Sequence, residues 1–345
     1  MGGRRSLLVW LSLIVASVTS TNAGATTFPR DTPVAEFCAS VESNLLKRQF
    51  EALDGLENEL RDPDIRLIGG NSQIYEFYGA LGAFATMGLF SCTSRVPFDE
   101  KRELLEQWIA AKPKSLGAHI ALGQLWWNAG YQERGEGYVN SVGFFQWIGS
   151  YSDLYKAKSA LANIDIHADP HGYYLLMEIA QGEFGWFTDR RGTLDNLYSQ
   201  GVKAYPLYFH FYSLRAQILQ VRWYGHPGEL DAYEAALSTS PGGDAGSVAY
   251  SFIAYKLMQS TERSILLQTN GLSWELIKSG YAARQRLYGM RNRDWNALLY
   301  LAIAGFDRET GKAALARVGE NWDPAVWKER GYFDYAVGWS NKAQN

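Results

Sequence analysis

Residues 118–130 read AHIALGQLWWNAG, and the spacing within them decides the fold class. Ala118, Leu122, Gly123, Trp126 and Gly130 fall on one face of a helix with about 3.6 residues per turn. The order is small residue, Leu-Gly pair, aromatic, glycine. A glycine at 123 lets a second helix approach closely, Trp126 fills the wedge between neighbouring helices, and Gly130 supplies a turn. Pro113, just upstream, stands where a preceding helix pair would close.

On either side of this stretch helical patterns recur and strand alternation does not. Residues 34–60 predict one helix, with Phe37, Val41, Leu45, Phe50, Leu53, Leu56 and Leu60 as its apolar stripe. Asp62-Pro63-Asp64 stops it. A second helix is expected from about Ser72 to Phe90, and a third from Asp99 to Lys112-Pro113. Breaks at Ala204-Tyr205-Pro206 and Ser240-Pro241 place two prolines 35 residues apart, close to one tetratricopeptide repeat length. Ala302, Ala304, Gly305 and Asp307 precede another helix, residues 310–318. The expectation is an all-α, TPR-like array of degenerate helix pairs, an α-solenoid or compact right-handed superhelix. Residues 132–142, rich in glycine where a regular second helix should run, and residues 221–229 interrupt the pattern.

The N-terminus addresses compartment. Arg4 and Arg5, an apolar run over residues 6–18 and the small residues Ala23-Gly24-Ala25 form a signal peptide cleaved after Ala25 by the general secretory route. The alternative is an uncleaved anchor. The expected organisation is signal peptide 1–25, linker 26–33, helical domain 34–337 and tail 338–345, in the periplasm or outside the cell. Removing Arg4 and Arg5 leaves 31 basic against 36 acidic residues, net −5, with no basic run. Nucleic acid is therefore not an expected partner, nor is the chain expected to be membrane-embedded. In an oxidising compartment Cys38 and Cys92 are expected to form a disulfide. Two antiparallel helices joined around residues 62–71 would bring them together, and separate buried thiols are the alternative.

The chain also resembles a bacterial family of TPR-like domains of unknown function over roughly residues 45–327. The matching stretches are KRQFEALDGLENELR (47–61), ERGEGYVNSV (133–142) with Trp147, YPLYFHFYSLRAQILQVRWYGHPGE (205–229) and AGFDRETGKAALARVGENWDPAVW (304–327). Val221 departs from a proline frequent in that family, and residues 164–172 are irregular. The resemblance implies fold and topology and carries no activity.

Candidate binding residues cluster in the two interruptions. Arg134, Glu136 and Tyr138, with Trp147, form one set; Arg222, Trp223, His226 and Glu229 form the other. Each reads either as a groove wall or as framework, the second set through a buried Arg222-Glu229 pair with Gly225 and Gly228 at positive φ. Asp165, His167, Asp169 and His171 offer metal-type ligands, but Asp169-Pro170 also starts a helix with Asp as cap, leaving both histidines solvated. No metal and no cofactor are expected. The sequence carries no nucleophile elbow, HExxH, Walker loop or dinucleotide fingerprint, so no catalytic residue is assigned. The expected role is a binding module presenting a groove to a protein or peptide. The alternative is an envelope enzyme or glycan-binding protein using Tyr138, Trp147, Trp223 and His226.

Overall fold

The computed structural model describes residues 27–87, 91–135, 143–182, 189–261, 263 and 266–342. The expected signal peptide, residues 1–25, and two candidate residues, Glu136 and Tyr138, lie outside them. Among the described residues every regular element is a helix, and β-type pairing is confined to an isolated bridge between Arg66 and Ser72. No helix there is long and apolar enough to cross a membrane.

The single helix expected over residues 34–60 is two helices, α1 (Val34–Leu46) and α2 (Phe50–Leu60). Between them Arg48 takes a positive φ of 55°. The cause is visible in the stripe: Leu45 and Phe50 are five residues apart, too far round a continuous helix to share its face. The break turns Phe50 so that its ring stacks on Trp108, 6.2 Å centre to centre. Upstream, Phe28 packs edge-on against Phe37 and its backbone bonds Gln73, so the expected linker is fastened to the core. The second helix is also shorter than expected: α3 spans Gln73–Gly82, and Ala83 is extended.

Cys38 on α1 and Cys92 are joined in a disulfide, with Cα atoms 5.6 Å apart and a sequence separation of 54. α4 (Phe98–Ala111) then leads into α5 (Leu116–Arg134), which begins where the Ser115 hydroxyl accepts the Ala118 amide at 3.0 Å. Gly123 has the role its spacing suggested: a Cβ there would meet Leu161 and Leu175 at 3.0 and 3.2 Å. Gly130 does not turn the chain. It lies inside α5, close to the Ser150 carbonyl on α6 (Phe144–Ala160), and the helix ends four residues later at Arg134, with Gly135 at φ 75° just beyond it. Residues 132–134 of the first interruption are thus the last turn of α5, and residues 136–142 lie outside the described residues.

The pairing continues through α7 (Pro170–Gly182) with α8 (Arg190–Ala204), then α9 (His210–Ile218), which packs on both α7 and α11 (Gly243–Met258). α10 (Glu229–Ala236) and the short α12 (Leu266–Thr269) flank this layer. α13 (Trp274–Tyr288) covers α11, α14 (Asn292–Ala304) pairs with α15 (Arg308–Val318), and α16 (Pro324–Trp327) and α17 (Arg330–Asn341) close the end. Asp307 caps α15 as its position suggested, accepting the Thr310 amide at 3.0 Å. α17 continues past residue 338 and buries Ser340, so helix occupies the start of the expected tail.

Residues 62–76 tie the two ends of the chain together. Arg66 is buried against Phe209 and Tyr288, donates to the Gly70 carbonyl at 2.8 Å and also to that of Leu207. Arg284 on α13 donates to the Gly69 carbonyl and pairs with Asp294 at 2.8 Å. Arg291 binds the same Asp294 and reaches Glu76 at 4.0 Å. An array of helix pairs thus has its interior stitched by a polar seam from its own N-terminal third.

Candidate functional site

The second interruption is framework, but not through the pair expected. Arg222 is exposed and bonds Gln220 and Ser260, donating to the Ser260 carbonyl at 2.7 Å. Glu229 instead pairs with Arg191 on α8 and accepts the His226 amide at 3.0 Å. The Arg191 guanidinium holds the Glu229 carboxyl down at about 2. Tyr224 completes the clamp, donating to the Gln181 carbonyl at 2.8 Å and accepting from Arg190 at 2.9 Å. Arg191 serves where Arg222 was expected because residues 219–225 coil back tightly. A Cβ at Gly225 would fall 1.8 Å from the Leu219 carbonyl oxygen, so a close approach fixes this glycine, while Gly228 takes the positive φ, 81°. Trp223 is half-buried and the His226 side chain is exposed. In the first interruption the Arg134 guanidinium lies over the Trp147 ring at 5.4 Å.

Asp169 caps α7, accepting the His171 and Gly172 amides at 2.6 and 3.1 Å, as the Asp-Pro pair suggested. His167 is exposed, but His171 is not solvated. It is buried between Tyr208 and Gln124, bonded at 2.7 and 2.8 Å, and burial lowers it to about 3. The cap dragged its neighbour inward because Tyr78 binds the other Asp169 oxygen at 2.9 Å. Among the described residues, the metal-type ligand atoms that gather within 4.8 Å belong to Cys38, Glu76 and Cys92, whose sulfurs are already bonded to each other.

The chemistry concentrates where α3, α7, α9 and α11 meet. Tyr75 stacks on His210 with ring centres 3.6 Å apart and meets Tyr174 edge-on at 5.8 Å. Phe252 and Tyr208 close around His210. His210 is 8% exposed, burial holds it neutral, and its Nε2 has no hydrogen-bond partner among the described residues. Glu178, one helical turn after Tyr174, is 7% exposed. Burial pushes its carboxyl up to about 7, against the pull of Lys256 and the Tyr174 hydroxyl. Lys256 on α11 is half-buried, is itself lowered by burial, and has no ion-pair partner among the described residues. Tyr75 and Tyr255 are also only half-buried, so the group opens toward solvent.

No family model, curated protein or solved structure matches the chain. What this site can do follows from its groups alone. A carboxyl poised near neutrality exchanges a proton at physiological pH, an unpaired ammonium attracts a carboxylate or carbonyl, and an orphan imidazole nitrogen accepts or donates one hydrogen bond. Of these groups the His210 Nε2 is the one buried without a partner among the described residues, and such an atom is costly unless a ligand or water satisfies it.

The sequence reading assigned none of these residues. A signal was present: Glu178 interrupts the apolar run YYLLMEIA (residues 173–180), and His210 sits inside the aromatic run YFHFY (residues 208–212). A charged or imidazole group on a core-facing stripe marks a buried polar site.

Glu178 gives a pH prediction. Its folded value lies above the ordinary 4.5, so the folded state holds the proton more tightly and loses stability as pH rises from about 4.5 to about 7. Glu178→Gln is expected to match the wild type near pH 4.5 and to melt several degrees higher at pH 8. Thermal unfolding of both proteins at the two pH values checks this, and a constant difference would mean that Glu178 ionises normally.

Proposed function

We propose that this chain is an exported, TPR-like binding module that takes a protein or peptide partner at the opening between α3, α7, α9 and α11. One observation carries the reading: Lys256 makes no close ion pair among the described residues and feels only the charge of Glu178, itself poised near neutrality, beside a His210 nitrogen with no hydrogen-bond partner there. A peptide carboxylate or backbone amide satisfies all three with groups that any polypeptide has. Half-exposed tyrosines supply rigid contact area at low entropic cost. The disulfide fits an oxidising compartment, and Gly123 permits the close helix approach that TPR-like pairs use.

A second reading makes the same centre an envelope enzyme, because a buried carboxyl raised to about 7 suits acid-base chemistry. Co-purification from cells separates the two. The binding reading expects a discrete polypeptide that stays with the wild type and is lost from Lys256→Met, with the variant's melting temperature kept. A partner that survives Lys256→Met removes this site from recognition. Turnover abolished by Glu178→Gln, with no retained partner, favours the enzyme.

A further inference from the structure

A separate cleft of about 460 Å³ opens between the end of α3, the start of α4 and the facing sides of α5 and α6. Phe84, Phe98 and Trp126 form part of its lining. Phe84 meets Phe98 edge-on at 5.3 Å, and Phe98 meets Trp126 edge-on at 4.9 Å. Its rim carries two carboxylates, Glu133 on α5 and Asp153 on α6. The chain already seats one ammonium at its edge: Lys156 Nζ lies 4.1 Å from the centre of the Trp126 ring and bonds Asp153 at 2.9 Å. Glu133 is exposed and has no ion-pair partner among the described residues. The neighbouring cation, Arg134, is turned onto Trp147. The cleft therefore holds two negative charges and one positive, around π faces that favour a further cation.

We propose that this cleft binds a small organic ammonium group, primary or quaternary, over Trp126 and between Glu133 and Asp153. Lys156 shows the geometry such a group adopts and competes with it for the same ring and the same carboxylate. An alkyl ammonium has the right shape, since its methylenes or methyls cover Phe84 and Phe98 while its charge meets the rim. This site shares no residue with the Glu178 centre and stands whether or not that centre binds a peptide.

Titration of the full chain with choline, with n-butylammonium and with the neutral isostere 3,3-dimethylbutanol tests the proposal, read by tryptophan fluorescence and by calorimetry. Both cations are expected to bind saturably, and the isostere about tenfold or more weaker, the scale of a partly desolvated cation-π contact with an added charge. Asp153→Asn should weaken both cations severalfold, and Lys156→Met should tighten them by removing the internal competitor. Lys256→Met should change neither. Binding by choline alone restricts the site to quaternary head groups, and binding by n-butylammonium alone restricts it to primary amines. Equal affinity for the neutral isostere, or cation binding unchanged in Asp153→Asn, would overturn the proposal.

Discussion

Replacing Cys38 and Cys92 together by serine is expected to lower stability by roughly 4 kcal/mol, the chain-entropy value for a bridge closing about 55 residues. The bridge ties α1 to the segment beyond α3 across a sequence separation of 54, so without it the unfolded chain regains a long loop. The folded state suffers as well. Cys92 Sγ lies 3.3 Å from the Glu76 carbonyl and 3.7 Å from its buried carboxyl, and two serine hydroxyls there replace apolar sulfur in a dry corner. Burial raises the Glu76 carboxyl, while Arg291 and Asn71 stabilise its charged form. Disorder in that corner would therefore spread into the polar seam. Denaturant unfolding of oxidised wild type, reduced wild type and the double variant measures the effect. The reduced wild type and the variant should both fall well below the oxidised protein, and a variant within 1 kcal/mol of it would show that the clamp is not a stability element.

Asp294→Ala is expected to cost about 3–5 kcal/mol, the penalty for stranding a buried charge. Two guanidinium groups depend on this carboxylate: Arg284 at 2.8 Å, with its side chain 3% exposed, and Arg291 at 3.0 Å. Asp294 also accepts the Arg291 amide at 2.9 Å, so the start of α14 loses its cap at the same time. Burial alone would raise the Asp294 carboxyl, but the two arginines hold it below the ordinary carboxylate value. Its contribution is thus complete above about pH 4 and is lost as acid protonates the folded state. Asp294→Asn keeps the shape and part of the cap and should fall between wild type and alanine. Thermal unfolding of the three proteins at pH 7 and pH 3 checks both the order and the narrowing of the gap in acid.

The fold was readable where the residues act locally. The helix start at Asp169, the end of α8 before Pro206 and the close approach at Gly123 each follow from one side chain or its absence. The disulfide was expected from an oxidising compartment and an antiparallel helical hairpin, and it forms although α3 ends ten residues before Cys92. Legibility failed where distant segments decide. The break at Arg48 left a trace in the five-residue step from Leu45 to Phe50, but the face that Phe50 then takes is set by Trp108, 60 residues on from Arg48. Glu229 takes Arg191 rather than Arg222 because α8 passes beside the loop. The polar centre was invisible for the same reason: Tyr75, Glu178, His210 and Lys256 come from four helices, and no spacing along the chain brings them to one place. Among the glycines of the loop candidates, Gly225 marks a close backbone approach to Leu219, while Gly228 takes a positive φ.

Photo-crosslinking in living cells tests the central claim that ligand enters at the Glu178 centre. The full chain carries p-benzoylphenylalanine at Tyr255, half-buried at the opening, or at the exposed Tyr332 as a control. The expected result is a discrete adduct from position 255 that disappears when Lys256→Met is added, and none of that mass from position 332. No adduct at 255, or the same adduct from both positions, would contradict the site.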